Sequence, residues 1–161
     1  MIRVRTARPE DERALRAIDE ATWTADVSPA PRPPAGTPFF SERRAAADVL
    51  VADVDGVAAG YAVLGRPTTL AAHAHVLEIR GLAVSPDCQG RGAGRRLVEA
   101  SVEEARAREA RKLSLRVLGF NDRARQLYES CGFRVEGILR AEFYLGGRFV
   151  DDVRMAHALN H

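Results

Sequence analysis

A glycine-rich run at residues 89–94 is the part of this sequence whose residue types and spacing have the clearest chemical meaning. It reads Gln-Gly-Arg-Gly-Ala-Gly, follows the apolar run Leu82-Ala83-Val84 and precedes a long amphipathic segment. The first amides of a helix have no intrahelical acceptor and lie at the positive end of the helix dipole, and glycine lets a ligand approach the backbone closely. The run is therefore predicted to bind an anion, above all a phosphate, at a helix N-terminus.

The glycine spacing excludes two common nucleotide-binding loops. A dinucleotide fingerprint has glycine at its first, third and sixth positions, but the sixth position counted from Gly90 is Arg95. A Walker A loop ends in Gly-Lys-Ser or Gly-Lys-Thr, which this run lacks. The predicted phosphate therefore belongs to a different ligand, and the alternative is a tight strand-to-helix turn that binds nothing.

A second block, from Asn121 to Phe133, reads N-x-x-A-x-x-L-Y-x-x-x-G-F. Together with L-A-V-x-P and Q-x-x-G-x-G it resembles the GNAT superfamily of N-acetyltransferases, over roughly residues 50–158. The resemblance implies an α+β fold, with a mostly antiparallel mixed sheet that splays in the middle and is flanked by helices.

The same resemblance implies a function and its reactants. Acetyl-CoA would donate an acetyl group to a primary amine of a small molecule or of a protein N-terminus, by direct transfer in a ternary complex and without a metal. The alternative is a non-catalytic CoA-binding or regulatory domain of the same fold. The C-terminal half does not choose among protein N-termini, ribosomal proteins, polyamines and small amino-acid-like amines.

Cofactor contacts are assigned to the two blocks by the resemblance. The pantetheine arm would pair with the strand backbone near Leu82, whose N–H is a candidate oxyanion donor. Arg91 and Arg95 are candidates for adding charge at the phosphates. The residues assigned to the cofactor are Leu82, Ala83, Val84, Gln89, Gly90, Arg91, Gly92, Ala93, Gly94, Arg95, Asn121 and Tyr128.

Two residues are expected to move protons. In the family a tyrosine at the position of Tyr128 protonates the leaving thiolate, and a phenol is an adequate donor to a thiolate of comparable basicity. Glu78, four residues before Leu82, is the candidate general base for the amine, with His73 and His75 as rivals. The alternatives are a tyrosine that only packs on the sheet and a glutamate that only faces solvent.

Other reactive side chains are expected to be bystanders. His73 and His75 could share a strand face as metal ligands, but no third ligand follows at a useful spacing, so no metal is expected. Cys88 lies beside the glycine-rich run, yet no base is adjacent to it in sequence, which disfavours an acyl-cysteine intermediate. His157 and His161 are predicted to lie at the surface.

The elements that must position these residues fit one domain over residues 1–161. Five of the eight prolines fall in a loop at about residues 24–40, flanked by Trp23 and the Phe39-Phe40 pair, which would either line an acceptor pocket or pack in the core. Gly81 predicts a bulge in its strand. The predicted helices are 9–21, 41–47, 92–110 and 121–131, and the predicted strands are 2–6, 49–54, 57–64, 75–84, 113–117, 133–139 and 148–158.

Composition bears on the partners and the compartment. The net charge is only +2, and the arginines are interleaved with acidic residues rather than clustered, so no nucleic-acid partner is expected. The N-terminal residues do not resemble a signal peptide, and the longest apolar run, Val57 to Leu64, is too short to span a membrane. We expect a cytoplasmic protein with no membrane partner, and a homodimer is one alternative for its oligomeric state.

Overall fold

The computed structural model describes residues 1–24 and 28–159 and contains a seven-stranded mixed sheet flanked by three α-helices. The strand order is β1-β2-β3-β4-β5-β7-β6. The elements in chain order are β1 (Ile2–Thr6), α1 (Glu12–Thr22), β2 (Val49–Val54), β3 (Val57–Gly65), β4 (Val76–Val84), α2 (Ala93–Ala107), β5 (Lys112–Leu118), α3 (Asp122–Ser130), β6 (Arg134–Leu145) and β7 (Arg148–Ala158). The predicted α+β fold is confirmed.

The turns predicted from sequence join the hairpins of this sheet. Asp55 and Gly56 have φ values of 52° and 87°, the left-handed conformation that a tight two-residue hairpin turn requires. The Gly56 amide also donates a 2.7 Å hydrogen bond to Asp53 Oδ1. Gly146 and Gly147 have positive φ in the same way and connect β6 to β7.

Two apolar layers hold the helices on the sheet. On one face, which we call the α2 face, α2 contributes Leu97 and Val98 to a core with Leu113 and Met155 of the sheet. Full burial of each such side chain stabilises the fold by about 1.5–3 kcal/mol. On the opposite face, the α1 face, Leu15 and Ile18 of α1 pack with sheet and loop residues: Phe39, Val49, Val51, Tyr61 and Val63.

The sheet splays between β4 and β5. These parallel strands pair only from Val76 opposite Lys112 to Glu78 opposite Ser114. On the other side of β4, Leu64 pairs with Ile79 and Val63 with Gly81, so Arg80 is an extra, bulged residue. The bulge predicted from Gly81 is therefore confirmed, and it lies where β4 separates from β5.

The predicted helix from Ser41 to Ala47 is wrong. The Ser41 and Arg44 backbones exchange two 3.1 Å hydrogen bonds, which close a tight turn instead of starting a helix. Arg44 is also fixed from outside the turn, because its Nε donates to the Phe39 carbonyl oxygen at 2.7 Å. Only a single 3₁₀ turn follows, at Ala46–Asp48.

The remaining helix predictions hold to within a few residues. A 3₁₀ turn at Pro9–Asp11 leads into α1, and α2 ends at Ala107, before the predicted residue 110. The prediction of a proline-rich loop includes residues 25–27, which lie outside the described residues, as does His161. Within the described part of the chain, no helix combines the length and the apolar character needed to cross a membrane.

Candidate active site

The glycine-rich loop leaves the end of β4 and opens α2, as predicted. Gly90 and Gly92 have φ values of 80° and 87°, and a Cβ built on either glycine would point into open space. The first intrahelical acceptor is Gly92, whose carbonyl oxygen accepts from Arg96 N. The amides of Ala93, Gly94 and Arg95 therefore have no acceptor within the described residues and remain available to an anion.

Two loop residues fix the geometry of this turn. Gln89 Nε2 donates to the Val84 carbonyl oxygen at 3.2 Å, which ties the loop to the end of β4. A Cβ on Gly94 would lie 3.4 Å from Leu127 Cδ2, so this glycine allows α2 and α3 to approach closely. Of the three glycines, Gly90 and Gly92 are thus the ones that leave backbone open to a ligand.

The two loop arginines differ in their contacts. Arg91 is exposed, and its guanidinium makes no hydrogen bond or ion pair with any described residue. Arg95 donates a 2.7 Å hydrogen bond to Ser130 Oγ at the end of α3, and it lies 3.6 Å from Glu99. Arg91 is therefore free to meet a phosphate, whereas Arg95 already joins α2 to α3.

Beyond Glu78 and Ser114, β4 and β5 are separated by an opening that we call the gap. The end of β4 forms one edge of this gap. Leu82 and Val84 pack toward the α2 face, and Ala83 packs toward the α1 face. Beyond Glu78, the edge of β4 that faces β5 has no strand partner among the described residues. Backbone amides and carbonyls on that edge are available to a ligand that enters the gap.

α3 begins after Asn121 and places Tyr128 on the α2 face. Asn121 caps the helix, since its Oδ1 accepts from Ala124 N at 3.2 Å. The Tyr128 ring lies 6.0 Å from the Phe133 ring, and its hydroxyl forms no hydrogen bond with the described part of the chain. Burial raises the pKa of Tyr128 to about 12. The phenol is therefore neutral at physiological pH and carries a proton that it can donate.

Glu78 projects from the opposite, α1 face. It is paired with Gly65 of β3 and Ser114 of β5, at the last residue before the strands separate. Its side chain is 23% exposed, and Oε1 lies 3.9 Å from Arg80 Nε. This carboxylate is thus accessible at the edge of the gap and is not fixed by a short hydrogen bond.

The rival bases lie before the start of β4. His73 belongs to a 3₁₀ turn and its Nδ1 is 2.9 Å from Thr68 Oγ1, while His75 is exposed ahead of Val76. The two histidines therefore do not share a strand face. No group of three or more metal-ligating side chains occurs in the described residues.

Among the aromatic residues around the proline-rich loop, Phe39 packs in the core. Phe39 is 1% exposed and stacks edge-on with Tyr61, so it packs in the core rather than lining a pocket. Glu12 of α1 accepts hydrogen bonds from the amides of Phe39 and Phe40, at 2.8 and 3.1 Å. Trp23 is partly exposed beside the guanidinium of Arg32. His157, predicted at the surface, is half-buried there and packs edge-on against Phe133.

Sequence reasoning missed two residues next to the gap. Arg116 of β5 is directly opposite Arg154 of β7, and both project from the α1 face, as Glu78 does. The alternation of Leu113, Leu115 and Val117 predicts that Arg116 faces away from the main core. The pairing with Arg154 depends on strand register, which the alternation does not give.

Comparison with known proteins decides the family. The family model described as the acetyltransferase (GNAT) family matches residues 13–133. The chain belongs to the GNAT acetyltransferase family. A solved GNAT superfamily phosphinothricin acetyltransferase from Sinorhizobium meliloti, in complex with AcCoA, superposes with a TM-score of 0.83 at 22% identity, covering 99% of this chain and 89% of that one. The fold of this GNAT protein is therefore shared with that structure.

Curated relatives carry different names for their activities. The spermidine N(1)-acetyltransferase of Vibrio cholerae is 36% identical over 75 residues, which are 46% of this chain and 43% of that protein. The L-amino acid N-acyltransferase MnaT of Escherichia coli is 30% identical over 113 residues, 70% of this chain and 65% of that protein. The chain thus spans less than two thirds of the length of each relative.

Proposed function

We propose that this GNAT protein transfers an acetyl group from acetyl-CoA to a primary amine, in a ternary complex. The observation that carries the proposal is the position of the glycine-rich loop. The loop leaves β4, the strand that separates from β5, so a ligand whose phosphate lies at residues 90–95 can extend along the open strand edge. Relatives named as N-acetyltransferases, and a structure with AcCoA, support the same donor.

The loop residues fit a ligand with phosphate groups. The open Cβ positions at Gly90 and Gly92 leave room for oxygens, and the free amides at the start of α2 supply donors. Arg91 would add charge, and Asn121 would contact the ligand from the start of α3. Acetyl-CoA would supply the thioester, whose arm would pair with the backbone of Leu82, Ala83 and Val84.

Tyr128 is the proposed proton donor. It lies on the α2 face with α3, and its hydroxyl has no competing partner among the described residues. The raised pKa, about 12, keeps the phenol protonated throughout the physiological range, so the proton is present when the thiolate leaves. Tyr128 would donate its proton to the departing sulfur as the bond between carbon and sulfur breaks.

Glu78 is the proposed general base on the α1 face. An amine must lose its proton before it attacks, and a carboxylate at the edge of the gap can accept that proton directly or through one water. Since Glu78 has only a 3.9 Å contact with Arg80, its oxygens remain available to the acceptor. The amine would therefore approach from the face opposite α2.

A cytoplasmic location and a homodimer belong to the same proposal. Both cysteines are free, which is typical of a reducing compartment. Edge strand β6 and its hairpin partner expose large apolar side chains, among them Ile138, Tyr144 and Phe149. Apolar side chains grouped on an edge strand favour burial by a second copy of the chain.

An amine panel tests the proposal. The purified protein is mixed with acetyl-CoA and amino acids, polyamines or peptides with free N-termini, and thiol release is followed. We expect thiol release above the uncatalysed rate with at least one class, and a large loss in Tyr128→Phe. Acetyl-CoA binding without turnover on any amine would favour the non-catalytic CoA-binding domain instead.

A further inference from the structure

Two like charges lie side by side next to the gap. Arg116 of β5 is directly opposite Arg154 of β7, so both side chains project from the α1 face. Directly opposed side chains have Cβ atoms about 5 Å apart, and like charges at that spacing destabilise the sheet. An anion bound between the two guanidinium groups would relieve this repulsion.

The protein itself neutralises the pair only in part. Arg116 Nε lies 3.8 Å from Asp152 Oδ2, beyond hydrogen-bond distance, and the Arg116 side chain is 53% exposed. Arg154 is also exposed, and within the described residues its guanidinium has no ion pair or hydrogen bond. Both guanidinium groups are therefore accessible to an anionic ligand from solution.

The buried carboxylate of Asp152 favours a position of the Arg116 guanidinium that lies over the sheet. It is 2% exposed, and its Oδ2 accepts no hydrogen bond from the described residues. A buried carboxylate oxygen without a donor is unfavourable, and closer approach of the Arg116 guanidinium would satisfy it. Asp152 therefore favours a guanidinium that lies over the sheet, next to Arg154, rather than one that extends into solvent.

The side chains between the arginine pair and Glu78 are short. Across the sheet, one row consists of Glu78, Ser114, Ala156 and, on the edge strand β6, the exposed Arg134, and the next row consists of Arg116, Arg154 and Gly137. Serine and alanine are short, and a Cβ on Gly137 would point into open space. Arg116 lies two residues, or about 7 Å, along β5 from Ser114, which is the neighbour of Glu78 on β4, so a small molecule can span from Glu78 to Arg116.

We propose that Arg116 and Arg154 bind a carboxylate of the acceptor, so that the acceptor is a small amine that also carries an acidic group, as an α-amino acid does. This inference rests on the proposed acetyl transfer. Guanidinium groups bind carboxylates through paired charge-assisted hydrogen bonds, and two of them can share one carboxylate. With its carboxylate held there, the acceptor presents its amine to Glu78 at the gap. A polyamine, which carries only positive charge, is repelled by the same arginines.

Acceptors that differ only in their carboxylate measure its contribution to the reaction. Each free L-α-amino acid is compared with its own primary amide, which keeps the amine and the side chain. The amine of the amide is less basic because it lacks the neighbouring negative charge, so its chemistry alone favours the amide. We expect kcat/KM to be about 10- to 100-fold higher for the acids, mainly through a lower KM. Equal or better transfer to the amides, or to a polyamine, would overturn the inference and leave the proposed function intact.

Variants of the two arginines test whether they cause the preference for acceptors with a carboxylate. Arg116→Gln and Arg154→Gln should each raise KM for the acid about tenfold while KM for the amide stays unchanged. Arg116→Lys should recover part of the loss, because it keeps the charge without the planar fork. Arg3→Gln is the control, since Arg3 is an exposed strand arginine on the opposite edge of the sheet. Equal losses for acid and amide would contradict carboxylate binding.

Calorimetry separates the two proposals. With CoA present, an N-acetyl-amino acid should bind the wild-type protein and bind more weakly to Arg116→Gln. If this holds while no amine is acetylated, the carboxylate site stands and the acetyltransferase function fails. If the wild-type protein neither binds these carboxylates nor prefers acids as acceptors, the inference is wrong.

Discussion

Glu78 and Tyr128 lie on opposite faces of the sheet. Glu78 occupies the last paired row of β4 and projects from the α1 face, whereas Tyr128 packs with the core of the α2 face. A base and an acid on opposite faces suit a transfer in which the amine arrives from one side and the thiolate leaves on the other. Each residue can therefore be tested separately.

The acid is tested by Tyr128→Phe. The ring remains in place, so we expect acetyl-CoA affinity to change little while kcat falls by about 100-fold. Tyr144→Phe is the control, because this exposed tyrosine lies on β6. Wild-type kcat in Tyr128→Phe at saturating substrate would mean that water or another group protonates the thiolate.

The raised pKa of Tyr128 predicts the alkaline side of the wild-type profile. A donor acts in its protonated form, and a pKa raised to about 12 extends that form to higher pH. We therefore expect kcat to show no fall due to this group up to about pH 10, where an ordinary tyrosine is half ionised. A fall centred below that pH, and absent in Tyr128→Phe, would contradict the buried, neutral phenol.

The base is tested by Glu78→Gln across pH. Where the amine is still charged, the variant should lose most of its kcat/KM, since nothing else accepts the proton. Raising the pH supplies neutral amine, so part of the rate should return in alkaline buffer. Glu103→Gln, an exposed glutamate of α2, is the control. An unchanged profile would direct attention to His73 or His75, and a uniform loss at every pH would indicate a role in acceptor binding.

Much of this site follows from local sequence, and the exceptions are instructive. The glycine-rich loop, the Asn121 cap and the Asp55-Gly56 turn follow from short patterns, because neighbouring residues determine them. The turn at Ser41 was mispredicted since Arg44 is held by Phe39, a contact outside the local pattern. The Arg116–Arg154 pair requires the register of two strands far apart in sequence.

The phosphate loop is tested by two glycines with the same backbone angle. Gly92 and Gly56 both have φ of 87° and open space at the Cβ position. Alanine at either position should lower the free energy of unfolding by about 1 kcal/mol, from left-handed strain. Only Gly92→Ala should also weaken acetyl-CoA binding measured by calorimetry, by about tenfold. Equal acetyl-CoA affinity in the two variants would remove Gly92 from the site.

A partly buried ion pair gives the fold its expected acid sensitivity. Asp11 accepts two 2.8 Å hydrogen bonds from Arg5, and one of 2.7 Å from Arg8 N. The hydrogen bonds from Arg5 are the main reason that the pKa of Asp11 is below its ordinary value. A lowered pKa in the folded state stabilises the protein above the unfolded pKa near 3.8, and this stabilisation is lost as the pH falls below that value.

Denaturant unfolding at neutral pH and in acid measures the stabilisation that ionised Asp11 provides. Asp11→Asn should lower the free energy of unfolding by about 2 kcal/mol at neutral pH, because Arg5 loses its carboxylate, and by less in acid. Asp55→Asn is the control, since this carboxylate is exposed and, among the described residues, pairs only with the N-terminus. The same loss for Asp11→Asn at both pH values would show that the carboxylate charge is not what matters.

The central claim, direct acetyl transfer from acetyl-CoA to an amine, is tested most directly by following an isotopically labelled acetyl group in a single reaction. Released CoA thiol and labelled N-acetyl amine are quantified together in the wild-type protein and in Cys88→Ser. The account predicts equal amounts of the two products, no label on the protein, and the same result in the cysteine variant. Thiol release without labelled amine, or label retained on the protein, would contradict direct transfer.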